Sequence, residues 1–367
     1  MAAPARPKPK TAKPKASRPA APAKAKSAAP KPTPAKPRKP AEPPGPPLTI
    51  WAVSDGRAGI ENQVLGLAEA VARRRQATIV VKRVGWTGRI GRLPWWASPF
   101  PRRWLTPDSG IEAPWPDIWI AAGRATLPLS IRMRRWSAGK TFVVQLQDPR
   151  APPQMFDLVA PPRHDRLHGD NIVSITGSPH RITPQRLKAE YARFAKRLDG
   201  LPHPRVMAMV GGRSKAFDIS PERAAQIAHE IQLPLEQEGG SLLMTFSRRT
   251  PDQARALLTA RLRHLPGMIW DGEGDNPYFA FLAAADYVLV TEDSTNMATE
   301  AAATGKPVFI MKVDGSSLKF RLFHESLEQQ GAARPFGGAF HGWTYEPVAE
   351  TDRLAAEVLA RMMAKAG

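Results

Sequence analysis

The chain has 367 residues, with 53 Lys and Arg against 33 Asp and Glu, 39 Pro and no Cys. The lack of cysteine excludes disulfides, thiol nucleophiles and every zinc site built on thiolates. No apolar run approaches the roughly 18 residues of a membrane span, and the basic start lacks a signal-peptide core, so secretion and membrane insertion are not expected.

Residues 1–47 hold 12 of the basic side chains, 15 prolines, 13 alanines and a single acid, Glu42, and so carry +11 of the formal charge of +20. A Pro-Ala-Lys segment with almost no branched or aromatic side chains buries too little apolar area to offset ordering entropy, so a disordered, partly polyproline-like tail is expected. Its prolines forbid the amphipathic helix of a mitochondrial presequence. The tail suits an anionic surface such as a membrane, or serves only as a solubilising extension, and the composition favours a cytoplasmic protein.

From residue 48 the texture turns to alternating strand and helix signals. A strand over 48–53, a small turn over 54–59 and a helix over 60–75 open the body. Strands follow over 78–84, 117–121, 141–146 and 172–175, with helices over 126–136 and 183–198. Short buried strands alternating with helices predict a parallel, doubly wound α/β sheet. Leu201-Pro-His-Pro204 breaks the pattern as a hinge. A second such unit then carries strands over 205–210, 241–247, 267–270, 287–291 and 307–311. Its helices lie over 220–231, 251–263, 277–284 and 296–304, and an amphipathic helix over 348–363 closes the chain. The division reads as a tail over 1–47, domains over 48–200 and 201–345, and a C-terminal helix within 346–367.

Ligands of open α/β sheets bind at the carboxyl ends of strands. Four such ends are unusually polar: Ser54-Asp-Gly-Arg-Ala-Gly59, Gly211-Gly-Arg-Ser-Lys215, Ser247-Arg-Arg-Thr250 and Glu292-Asp-Ser-Thr-Asn296. Glycines permit close backbone approach, hydroxyls and free N–H groups bind phosphate oxygens, and Arg neutralises them. Together they point to a phosphorylated ligand between two domains. The plain alternative makes the Gly pair a turn and Asp293 or Ser294 a helix N-cap. A P-loop ATPase is excluded because Thr304-Gly-Lys-Pro307 leads into a strand, and no Gly-x-Gly-x-x-Gly follows the first strand. No Asp-x-Asp pair holds a metal on a diphosphate, His164 and His168 have metal-pair spacing in a Pro- and Gly-bounded segment unsuited to a helix, and Ser316-Ser-Leu-Lys319 reads as a chance match. Residues 94–105, with Trp95, Trp96, Phe100 and Trp104 beside Arg102 and Arg103, suit a membrane interface, an apolar acceptor or simple core filling. Specific nucleic-acid binding is not expected.

The motifs Ser54–Gln63, Gln147-Asp-Pro149, His164-Asp-Arg-Leu167, Gly211–Lys215 and Thr291–Met297 through Ala303–Pro307 resemble the bacterial relatives of the plant mitochondrial fission proteins named for an elongated-mitochondria phenotype. The resemblance covers about residues 48–343. It implies the GT-B architecture of glycosyltransferases and sugar-nucleotide epimerases, two Rossmann-like domains facing a cleft that takes a nucleoside-diphosphate sugar as co-substrate, with no tightly bound cofactor and with a final helix, here 348–363, that can cross back to the first domain. By that resemblance Ser294, Thr295 and Asn296 match the donor-phosphate segment, Glu300 the acid that meets the ribose, and Gly211, Gly212, Arg213 and Ser214 the phosphate loop. Ser247, Arg248 and Asn276 complete the donor-side set. Asp55 falls where such enzymes place a base, followed by His164 and Asp165. The implied activity is metal-independent glycosyl transfer to an envelope or lipid-linked glycan at the inner membrane face. The rival is a non-enzymatic adaptor of the same fold, as plant members are described, using surface and tail to bind protein or membrane.

Overall fold

Two all-parallel sheets with helices on both faces form the body of the protein, in a computed structural model that describes residues 46–88, 93–98 and 100–366. Apart from Pro46 and Pro47, the basic tail lies outside the described residues. The first sheet joins β1 (Leu48–Ser54), β2 (Ala77–Arg83), β3 (Ile118–Ala122), β4 (Phe142–Leu146) and β5 (Leu158–Ala160) in the order β2-β1-β3-β4-β5. Alternate residues of β1 and β3 feed opposite faces. Ile50, Ala52, Ile118 and Ile120 pack under Val64, Leu67 and Val71 of α1 (Ala58–Arg74), while Trp51, Trp119 and Val53 pack with Leu129 and Met133 of α2 (Leu127–Trp136). With both faces covered, the strands read as continuous apolar runs rather than alternating ones.

The second sheet joins β6 (Arg205–Val210), β8 (Ser241–Phe246), β9 (Gly267–Ile269), β10 (Tyr287–Thr291), β11 (Val308–Met311) and β13 (Ala333–Pro335) in the order β13-β11-β10-β6-β8-β9. Between its strands lie α4 (Pro221–Glu238), α5 (Asp252–Leu262), α6 (Tyr278–Ala284), α7 (Thr295–Ala302) and α8 (Leu318–Gln329). Two short segments, β7 (Phe217–Asp218) and β12 (Asp314–Gly315), pair antiparallel beside it. Lys306 donates from Nζ to the carbonyl oxygens of Leu282, Ala283 and Ala285, which neutralises the C-terminal end of α6. Burial lowers its pKa to about 8. The Gly-Lys pair that imitates a phosphate motif is therefore a helix-capping device.

The two halves exchange helices. Phe194 and Leu198 of α3 (Pro184–Leu198) are buried with Met207, Phe281 and Val288 of the second sheet's core. The chain therefore leaves the first sheet before α3, not at the Leu201–Pro204 break where the sequence places the boundary. Leu354, Ala355 and Val358 of α9 (Glu350–Ala366) return to the first core and pack against α1. At the crossing, Gly177 (φ +73°) lies so close to Thr299 that a Cβ would overlap the hydroxyl, so both conformation and space require glycine.

Two expected elements differ and one observed helix was not expected. Residues 172–175 form only isolated bridges, Val159 to Ile172 and Pro162 to Ile175, because the three-residue β5 takes the edge position. Helix α4 continues past Ile231 through a buried Pro234 to a left-handed Gly239 cap. Helix α8, absent from the expected elements, buries Phe323, His324 and Leu327. Among the described residues no helix is long and apolar enough to cross a membrane.

Candidate functional site

The carboxyl ends of both sheets open onto a cleft of about 740 Å³. From the first sheet come Gly123 and Arg124 after β3, and Gln145, Gln147, Asp148 and Arg150 at the end of β4. Gln147 (φ +67°) and Arg150 (φ +49°) hold left-handed backbone that non-glycine residues rarely adopt, a strain placed at the cleft wall. The second sheet contributes Ser214, Arg249 and the run from Asp293 to Asn296, and α8 adds Lys319 and Phe320.

A chain of amides crosses the cleft floor. Gln147 Nε2 donates to Gln63 Oε1 (2.9 Å), Gln63 Nε2 donates to Asn296 Oδ1 (3.0 Å), and Ser178 Oγ donates to the same oxygen (2.9 Å). Asn296 Nδ2 in turn donates to Gly59 O (3.2 Å). The side chain expected to hold donor phosphate is thus committed to tying α7 to α1. Beside it, Gln145 is buried, donates to Leu146 O and keeps Oε1 without a partner, an acceptor left for a ligand hydroxyl or water.

The glycine loop after β6 is filled from within. Gly211 N donates to Thr291 Oγ1 and Gly212 N to Asp293 Oδ2 (2.8 Å), while Thr291 Oγ1 donates to Asp293 Oδ1 (2.7 Å). Arg249 Nη2 completes the cage at 3.0 Å from a carboxylate whose side chain is fully buried. A Cβ on Gly211 would overlap that carboxylate, and one on Gly212 would overlap the Arg249 backbone. The glycines serve close packing, and the anion on the Gly212 amide is Asp293. Arg213, expected on phosphate, is exposed and paired with Asp218 at 2.8 Å.

The turn at the start of α7 differs. Ser294 Oγ accepts from Met297 N at 3.4 Å as the N-cap, and Ser294 and Thr295 line the cleft. The first turn of a helix leaves amide N–H groups without intrahelical acceptors. Across the cleft, His164 and Asp165 sit in a 3-10 turn with nearly buried side chains, and Asp165 pairs with Lys319 of α8. His164 packs edge-on to Phe323. Burial lowers its pKa to about 4, against the pull of Asp165 and with help from Lys319 and His324, so the imidazole is neutral at pH 7.

The cleft therefore gathers His164, Asp165, Ser214, Ser294, Thr295 and Asn296, and leaves the other expected residues outside its lining. Asp55 is held by Arg57 at 2.7 Å. Ser247 Oγ accepts from Arg249 N, which turns Arg249 rather than Arg248 to the cleft. Asn276 is exposed and caps Tyr278 N. Glu300 is buried behind α7, where Tyr278 donates its hydroxyl at 2.5 Å. Burial raises its pKa to about 7 despite the pull of Tyr278 and Arg181, and its carboxyl meets Tyr278 rather than the cleft lining. Sequence reasoning missed Gln145, Arg249, Asp293 as the anion that fills the glycine loop, and Lys319. The Ser-x-x-Lys spacing set aside as chance contained the last of these. Among the described residues no three acidic or imidazole side chains converge as a metal site.

The family described as Mitochondrial fission ELM1 matches residues 58–362. A mitochondrial fission protein ELM1 of Arabidopsis thaliana is 29% identical over 277 residues, covering 68% of this chain and 65% of the plant protein. The chain thus spans just under two thirds of that relative's length. An uncharacterized protein of Rickettsia prowazekii is 27% identical over 354 residues, covering 84% of this chain and 97% of its own. Among solved structures, a UDP-GlcNAc 2-epimerase of Methanocaldococcus jannaschii superposes with a TM-score of 0.53 at 12% identity, over 85% of this chain and 100% of that one. At that identity the likeness is one of fold, the two-domain GT-B-like arrangement. The chain belongs to the Mitochondrial fission ELM1 family.

Proposed function

We propose that this family member is a GT-B-like, metal-independent enzyme acting on a nucleoside-diphosphate sugar, a glycosyltransferase of envelope or lipid-linked glycans. The observation that carries the reading is the cleft itself: both sheets end on it, and it combines an open helix N-terminus and Arg249 with a neutral imidazole that sits beside the Asp165–Lys319 pair. The donor diphosphate would lie over the first turn of α7, with Ser294 and Thr295 as hydroxyl partners. As the acceptor oxygen bonds to the sugar carbon, the carbon–diphosphate bond breaks, and the charge left on the diphosphate meets the α7 dipole and Arg249. The acceptor proton passes to His164, which a depressed pKa keeps unprotonated though weakly basic. Asp55, away from the lining, ranks behind it. Gln145 Oε1 would accept from a sugar hydroxyl.

One observation favours the second reading, an adaptor that keeps the fold without turnover: the Asp293 carboxylate already occupies the Gly212 amide that a phosphate would use. Melting the protein with uridine, guanosine, cytidine and thymidine diphosphates, with and without sugars, separates the two. A cognate ligand at about 100 times its dissociation constant stabilises by about 2.7 kcal/mol. No shift with any nucleotide would sink the enzyme reading.

A further inference from the structure

Eight large apolar side chains are exposed among the described residues, and four belong to one short segment: Leu93 (45%), Trp96 (69%), Phe100 (61%) and Trp104 (46%). The exposed aromatics of that set all lie here. We propose that this segment is a docking surface for an anionic lipid bilayer, reading the exposed aromatics as interfacial anchors and the arginines between them as headgroup contacts.

The segment is held at its base, so exposure is not a consequence of an unanchored loop. Thr87 N donates to Trp104 O (2.8 Å), Thr106 N to Gly85 O (2.9 Å) and Trp86 Nε1 to Ala125 O (3.1 Å). The Arg102 guanidinium lies 5.3 and 5.7 Å from the ring centres of Trp115 and Trp136, which clamps the chain to the tryptophan side of the first sheet. Arg103 lies 5.1 Å from Phe100. With a core available beneath, three aromatic rings still face water.

The charge is one-sided. Between residues 93 and 107 the sequence has Arg102 and Arg103 and no acidic residue. Tryptophan prefers the headgroup level of a bilayer, and clustered arginines are drawn to anionic lipids. A protein partner would ordinarily meet both signs of charge, which residues 93–107 do not offer. Pro94, Trp95 and Trp96 also form part of the cleft wall, so docking here would set the cleft mouth at the membrane surface. The surface does not depend on the donor chemistry and would serve an adaptor equally.

Co-sedimentation of the full chain with sucrose-loaded phosphatidylcholine vesicles, with and without phosphatidylglycerol, tests the proposal at about 0.15 M salt, where the Debye length is about 8 Å. The parent should bind the anionic vesicles, and brominated acyl chains should quench its tryptophan fluorescence. The double variant Trp96→Ser, Phe100→Ser should melt like the parent, bind about tenfold more weakly or worse, and lose most of the quenching. A parent that does not bind, or a variant that binds and is quenched equally, would overturn the proposal. So would a concentration-dependent dimer in solution that the variant abolishes, since that would assign the face to a second copy of the chain.

Discussion

The loop after β6 and the first turn of α7 present the same kinds of groups, small residues with hydroxyls and free amides at a strand end, yet they differ in what fills them. Gly211 and Gly212 donate to Thr291 and to the buried Asp293, while the Ser294–Thr295 turn opens onto the cleft. A nest of backbone amides attracts whatever anion is nearest. Asp293, two residues along from Thr291, is attached to the same strand end and is always present. Glycines at a strand end therefore indicate closeness of approach and leave open what approaches.

The largest effect should come from removing that internal anion. Asp293→Asn leaves the Gly212 amide and the partly exposed Arg249 without their carboxylate, and each hydrogen bond lost from a buried charged group costs about 1.5–3 kcal/mol, with more than one lost here. Urea unfolding should show this loss, and calorimetry should find nucleotide affinity unimproved in whatever fraction stays folded. A gain in diphosphate affinity would break the comparison, because it would make the glycine loop a phosphate seat that Asp293 blocks.

Glu300 gives a pH-dependent test of the other side of α7. Its folded pKa of about 7 lies above the ordinary carboxylate value near 4.5, so the folded state binds the extra proton between those values. The associated stability is fully present below about 4.5 and is lost as pH rises through about 7. Glu300→Gln keeps an acceptor for Tyr278 and removes the ionisation, so it should stabilise by up to about 3 kcal/mol at pH 8 and very little at pH 4.5. His164 and His180, both lowered to about 4 chiefly by burial, act oppositely: their contribution is lost as pH falls from about 6.5 to 4. If Glu300→Gln instead weakens nucleoside binding at unchanged stability, the residue reaches the ligand after all.

Much of the fold was legible because both sheets are buried on two faces, so that runs such as Ile118–Ala122 and Val308–Met311 stand out in any reading. The placement of α3 was less so, since an amphipathic helix shows which face it buries and not which sheet receives it, whereas the family resemblance already implied that the C-terminal helix can cross back to the first domain. In the site, the sequence picks out the strand-end loops but not the partners that their side chains meet. Asn296 and Glu300 carry the right chemistry for a donor, but one side chain is spent on Gln63, Ser178 and Gly59 and the other is turned into the core. Sequence distance conceals such partners: Gln63 and Asn296 are 233 positions apart.

On the open turn the effects should be smaller and separable. Thr295→Ala removes a hydroxyl facing the cleft and should weaken nucleotide binding about tenfold or more, as expected for a hydrogen bond to a charged group worth about 1.5–3 kcal/mol. Ser294→Ala also removes the α7 cap and should lower stability by about 1 kcal/mol. Melting and calorimetry on the same two variants distinguish these roles. If both melt earlier and bind every nucleotide like the parent, α7 has a cap and no donor site.

The smallest effects should come from the two arginines that the sequence favours and the cleft does not use. Arg213 is exposed and paired with Asp218, and Arg248 lies outside the lining, whereas Arg249 reaches Asp293 and the carbonyls of Gly212 and Arg213. An exposed ion pair contributes little because water and salt already screen it. Arg213→Ala and Arg248→Ala should therefore leave melting and nucleotide affinity unchanged, while Arg249→Ala should lower both. The contrast between adjacent arginines is the sharper test, since Arg248→Ala and Arg249→Ala remove the same charge from the same turn and differ only in which way the Ser247 cap directs the side chain. Equal losses of affinity from the two would mean that long-range charge alone draws the nucleotide in, and that the geometry around Asp293 does not set the site.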